Sequence, residues 1–223
     1  MMAEATNHYF KHLGVSDGLS QVCIPSIFQD ELGAVWLGTT EGLNRYNGKD
    51  VKVFQPSESN HGLTNNEINE LCGDKNGRMY IRSGNDLIKL DIYTEQFTCL
   101  RQKGVYGLFC KKDTLWVSCA DGIYYYTGQG TELTFFARVQ KGFVGRALYV
   151  DRETVWVVTR KYLVAISRED PLRQEILLTL DKGNCILGDS SGNIWVGAWN
   201  GLYRVSPDRE TTAYVSHSGM GEL

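Results

Sequence analysis

The chain has 223 residues, is 42% apolar and 22% charged, and carries a formal net charge of −3. That composition suits a globular domain with a real core and lacks the basic excess of a nucleic-acid surface. No apolar run reaches the roughly 18 residues that a spanning helix needs, and the opening Met1 to Asn7 has neither the basic nor the apolar stretch of a signal peptide.

In chain order, one phrase recurs five times. It first reads Asp30-Glu-Leu-Gly33-Ala-Val-Trp36-Leu-Gly38, followed by Gly42-Leu43 and Tyr46. It returns as Asp74 to Tyr80 with Asp86-Leu87 and Leu90, then as Thr114-Leu-Trp116-Val with Gly122-Ile123 and Tyr126. The fourth copy is Thr154-Val-Trp156-Val with Tyr162-Leu163 and Ile166, and the fifth is Asp189 to Gly197 with Trp195, Gly201-Leu202 and Val205. The aromatic anchors are thus spaced by 44, 36, 40 and 39 residues. A period near 40 built from several short strands predicts an all-β chain, a β-propeller of five four-stranded blades. The blades fall at about 21–56, 65–101, 104–140, 144–181 and 184–217, after an N-terminal outer strand and linker over 8–20.

Within one unit, Ser26 to Asp30 is expected as the inner strand, Val35 to Leu37 as the second, Leu43 to Tyr46 as the third and Val51 to Phe54 as the outermost. Asn47-Gly48, Asn76-Gly77 and Ser191-Gly192 supply the positive φ of tight turns. Copies three and four have lost the turn glycine and predict tighter hairpins. The repeated aromatic ring is expected to fill the space between neighbouring sheets, and Gly42, Gly122 and Gly201 to mark positions of positive φ or close backbone approach.

The phrase Asp-x-x-Gly-x-Ile/Val-Trp-Ile/Val-Gly-Thr-x-x-Gly-Leu-x-x-Tyr resembles the two-component regulator propeller repeat. Residues Asp30 to Tyr46 match it almost letter for letter, Asp189 to Tyr203 match well, and the middle copies are degenerate. The opening Tyr9 to Leu13 with Asp17-Gly-Leu-Ser20 is similar to the start of sensor regions in hybrid two-component systems of Bacteroidetes. The resemblance implies a non-enzymatic periplasmic sensor domain that recognises oligosaccharides derived from glycans. It implies no cofactor, a seven-bladed ring of which this chain is a part, and dimers formed through neighbouring sensor domains. It also implies a kinase that these residues do not contain. The alternative is a closed ring of five blades.

In a propeller the loops joining second to third strands share a face with the interblade linkers, and loops held by rigid sheets are natural recognition sites. Carbohydrate recognition needs an aromatic face and planar polar groups. Trp199 and Asn200, with Arg160, Lys161, Asp121, Glu41 and Asn85, bring those types to that face; Asn65, Asn66, Arg146 and Asn184 lie in the linkers. An enzyme on this scaffold would need a paired acid and base. The histidines His8, His12, His61 and His217 do not recur near these loops, and no catalytic or metal-ligating motif is present. A protein-interaction propeller is the remaining rival. The cysteines Cys23, Cys72, Cys99, Cys110, Cys119 and Cys185 form no C-x-x-C pair. Most sit in apolar strand-like runs and are expected as small buried hydrophobes with free thiols; their even number permits disulfides without fixing connectivity.

Overall fold

The computed structural model describes residues 11–56 and 62–214. It consists of five four-stranded antiparallel sheets, each running from an inner to an outer strand in chain order. Blade one holds β1 (Ser26–Gln29), β2 (Val35–Thr39), β3 (Gly42–Tyr46) and β4 (Val51–Phe54). Blade two holds β5 (Ile68–Gly73), β6 (Arg78–Ser83), β7 (Asp86–Asp91) and β8 (Gln96–Arg101). Blade three holds β9 (Val105–Lys111), β10 (Thr114–Cys119), β11 (Gly122–Tyr126) and β12 (Thr134–Ala137). Blade four holds β13 (Gly145–Val150), β14 (Thr154–Thr159), β15 (Tyr162–Ser167) and β16 (Gln174–Thr179). Blade five holds β17 (Cys185–Gly188), β18 (Ile194–Ala198), β19 (Gly201–Val205) and β20 (Thr211–Tyr214).

The repeated phrase makes both the hairpin and the core. Asp30 closes the β1–β2 turn by accepting from the backbone N–H of Leu32 (3.0 Å) and Ala34 (2.9 Å), and its other oxygen accepts from Trp36 Nε1 (2.7 Å). Asp189 does the same with Ser191, Asn193 and Trp195. Asp151 serves Glu153, Thr154 and Trp156 across a shorter turn. One carboxylate therefore satisfies the turn amides and orients the ring that fills the core.

Each ring then packs on the next blade. Trp36 joins Ile68, Met79 and Ile88; Tyr80 joins Val105, Leu115 and Val117; Trp116 joins Leu148, Val155 and Val164; Trp156 joins Ile194, Val196 and Val205. All four are buried. Trp195 is the exception to the expected equivalence. It is only half-buried and stacks on Tyr214 of its own blade, at 5.8 Å between centroids, because no described blade follows it. Gly42 has φ 124°, and a Cβ there would lie 2.7 Å from the Phe54 carbonyl oxygen, so this position admits only glycine without strain.

The inner strands pack in chain order, β1 on β5, β5 on β9, β9 on β13 and β13 on β17. Among the described residues no comparable packing joins β17 to β1, and Ile27 and Leu187 on these two strands are each 64% exposed. Among the described residues the five blades therefore follow one another as an arc, with the inner strands of the first and last not packed together. Of the expected outer strand at Tyr9 to Leu13, Tyr9 and Phe10 fall outside the described residues, and Lys11 to Leu13 form no strand. The linker after it is anchored on blade one: Leu19 is buried, and Ser20 N donates to Asn44 Oδ1 at 2.9 Å. The cysteines differ from expectation. Only Cys119 is buried; Cys72 and Cys110, on inner strands facing the central space, are half-buried, and Cys23 on the linker before β1, Cys99 on the outer strand β8 and Cys185 on β17 are exposed.

Candidate functional site

The loops between second and third strands and the interblade linkers are stitched into one face. Gly42 N donates to Asn66 O, Gly84 N to Glu67 O, Val105 N to Asn85 O and Ala120 N to Gly104 O. Between blades four and five, Leu180 N donates to Lys161 O, Gly183 N to Arg160 O and Trp199 N to Asp181 O. The linker over 180–184 therefore brings the Arg160–Lys161 loop beside the Trp199–Asn200 loop. Trp199 is 79% exposed, and the Lys182 ammonium lies 4.7 Å from its ring centroid, over one face. Glu41 and Asn85 belong to other blades and do not join this cluster. Asp121 is already engaged: its carboxylate accepts from Arg101 Nη2 and from the Tyr124 hydroxyl, each at 2.8 Å. Partial burial pushes its pKa up, but these bonds outweigh it and hold the group below its ordinary value.

The arc encloses a central cavity of about 870 Å³ lined by the inner strands of all five blades. Asn69, Glu70, Arg82, Asn85, Arg146 and Asn184 supply its polar groups, and Phe28, Tyr106 and Leu108 its apolar wall. Of the residues singled out on the loop face, Asn85 lines this cavity, as do Asn184 of the linker and Arg146, which the structure places at the start of β13 and not in the linker. Asn69, Glu70, Arg82 and Tyr106 were not legible as site residues, since they sit on strands whose facing depends on ring curvature.

Glu70 is the strongly perturbed carboxylate there. It stands opposite Arg82 in the β5–β6 register. Its Oε2 accepts from Arg82 Nε at 3.4 Å and from Leu108 N of blade three at 3.1 Å. Burial raises its pKa to about 7, and these two donors only partly oppose the rise. Asn69 Nδ2 and Arg82 Nη1 both donate to Gly84 O, which fixes this corner of the wall. Carboxamides, two guanidinium groups and nearby aromatic faces suit a small polar ligand rich in hydroxyls. Among the described residues, no three His, Cys, Asp or Glu side chains gather as a metal site would need. His12, the one histidine described, is exposed on the N-terminal linker.

The arrangement is similar to solved extracellular domains. The extracellular domain of BT3049 from B. thetaiotaomicron, described as a hybrid two component system, superposes with a TM-score of 0.80 at 22% identity. The match covers 92% of this chain and 32% of that one. The fold is a propeller fold. Histidine kinase P4 of Formosa agariphila is 38% identical over 55 residues, which is 25% of this chain and 4% of that protein. This chain thus spans about a third of the first of these relatives and a small fraction of the second. Enzymes share the architecture too: streptogramin B lyase matches with a TM-score of 0.69 at 15% identity, over 91% of this chain and 72% of the lyase. No family model matches the sequence. Among the described residues no helix is long and apolar enough to cross a membrane.

Proposed function

We propose that this chain is the non-enzymatic, periplasmic sensing portion of a two-component regulator and that it recognises oligosaccharides released from glycans. The observation that carries the reading is the central cavity, lined by carboxamides and Arg146, in a propeller similar to extracellular domains of such systems. In this reading the oligosaccharide enters from the loop face. Asn85, Arg146 and Asn184 meet its hydroxyls, and Tyr106 and Phe28 present apolar surface to the sugar ring. The free face of Trp199, with Asn200, Arg160 and Lys161, extends the site along the rim; Glu41 and Asp121 border it on the other blades.

Blades are rigid sheets, so a ligand acts on signalling through its differential affinity for two arrangements of neighbouring domains. Further blades that complete a seven-bladed ring, and a dimer formed through neighbouring sensor domains, belong to the same reading. Screening the chain against an array of plant, algal and host glycan fragments tests it. Retention of one related set of oligosaccharides, released unchanged, is the expected result. Retention of none of them, or conversion of any, contradicts it.

A further inference from the structure

Blades two and three meet at a pair of thiols. Cys72 is on β5 and Cys110 on β9, 38 residues apart, and their sulfurs are 2.8 Å from one another. That is far inside ordinary non-bonded sulfur contact and short of a covalent bond, which is about 2.05 Å. The two strands need no rearrangement to hold the sulfurs there. Cys72 is fixed opposite Tyr80 and Cys110 opposite Leu115 by their own sheets. The Glu70 carboxylate, accepting from Leu108 N, ties β5 to β9 one step away. Both cysteines line the central cavity, so a small oxidant has a route to them. Among the described residues no other two thiols are in contact.

We propose that Cys72 and Cys110 form a disulfide that staples blade two to blade three at the cavity wall. The oxidant is a second disulfide, of the low-molecular-weight glutathione class. One cysteine thiolate attacks it, releasing one thiol and leaving a mixed disulfide; the other thiolate then displaces the second thiol. The new S–S bond forms as the oxidant's S–S bond breaks. Two electrons pass from the cysteine pair to the oxidant, and the two protons end on the released thiols. Burial pushes the Cys72 thiol well above its ordinary pKa, so exchange in the folded protein is slow and is completed fastest during folding. The staple forms in an oxidising compartment and stays open in a reducing one. The proposal rests on the sulfur geometry and not on the sensing role.

The test is refolding of the full chain in a glutathione redox buffer, followed by thiol titration and peptide mapping. To keep exposed thiols from cross-linking chains, it is repeated with Cys23, Cys99 and Cys185 each changed to Ser, which leaves Cys72, Cys110 and Cys119 of the six cysteines. The expected result is that free thiols in this variant fall from three to one, with one peptide pair joining Cys72 to Cys110. Oxidation should raise Tm by about 5–10 °C. Cys72→Ser and Cys110→Ser, made singly, should each abolish the rise, whereas the variant with the three exposed cysteines replaced keeps it. Three titratable thiols after oxidation, or a bond from Cys119 to either partner, overturns the proposal.

Discussion

Trp36 donates its indole N–H to Asp30 Oδ2 at 2.7 Å, at the boundary between the first hairpin turn and the first interblade core. The bond recurs as Trp156 to Asp151 (2.6 Å) and Trp195 to Asp189 (2.8 Å). The spacing of acid and aromatic in the repeat is therefore set by one side chain that serves a turn and a core at once. Removing the carboxylate leaves buried donors without a partner, each costing about 1–3 kcal/mol. Asp30→Ala is expected to destabilise the chain by about 3 kcal/mol in urea titration. A loss under about 1 kcal/mol would mean that the turn holds without it.

The aromatic anchors are equivalent in sequence but not in burial. Trp116 is buried against blade four, and Trp116→Ala should cost about 3–5 kcal/mol, the range for deleting a buried Trp. Trp195 is half-buried and stacks on Tyr214 of its own blade, so Trp195→Ala should cost less than half as much. Equal losses in parallel denaturant titrations would show that the outer face of blade five is covered in solution.

Gly42 tests the backbone in the same way. Its φ of 124° and the approach of the Phe54 carbonyl leave no room for a side chain. Gly42→Ala should destabilise by about 2 kcal/mol or more through strain and displacement of β4. A Tm within one or two degrees of wild type contradicts this.

Two carboxylates give opposite pH dependences. Hydrogen bonds from the Trp195 indole and the Asn193 amide hold Asp189 at about 2. A depressed folded pKa contributes stability that is present above the unfolded value, near 4, and is lost as pH falls toward 2. The Tm gap between wild type and Asp189→Asn should be constant above pH 5 and shrink between pH 4 and 2. Glu70 is raised to about 7, chiefly by burial, so the stability associated with its neutral form is present below about pH 4 and is lost as pH rises through 7. Glu70→Gln should therefore gain stability relative to wild type between pH 5 and 8. A gap that does not change over that interval would show that Glu70 titrates normally.

The fold was legible because one ring per blade repeats every forty residues or so, and a ring that must fill the same gap each time leaves a visible period. The turn chemistry was legible for the same reason. The cavity was not. Asn69, Glu70 and Arg82 acquire their common direction only when successive sheets are set around an axis, and no local pattern encodes that rotation. Cys72 and Cys110 illustrate the same gap: 38 residues apart in sequence, they meet because both occupy inner strands of adjacent blades. The loop residues Trp199 and Arg160 could be placed on one face because hairpin connectivity fixes which loops share it. The fate of Asp121, engaged by Arg101 and Tyr124, depended on side-chain reach that spacing does not reveal.

The most direct measurement is calorimetric titration of an oligosaccharide retained in the glycan screen into the wild-type chain and into Arg146→Ala and Asn184→Ala, with the sugar analysed by mass spectrometry afterwards. Saturable binding at one site, weakened about tenfold or more by either substitution and leaving the sugar intact, is the predicted result; each lost charge-assisted or amide hydrogen bond accounts for about 1.5 kcal/mol. Affinity unchanged in both variants, or a cleaved sugar, would contradict a non-enzymatic sensor that reads its ligand in the central cavity.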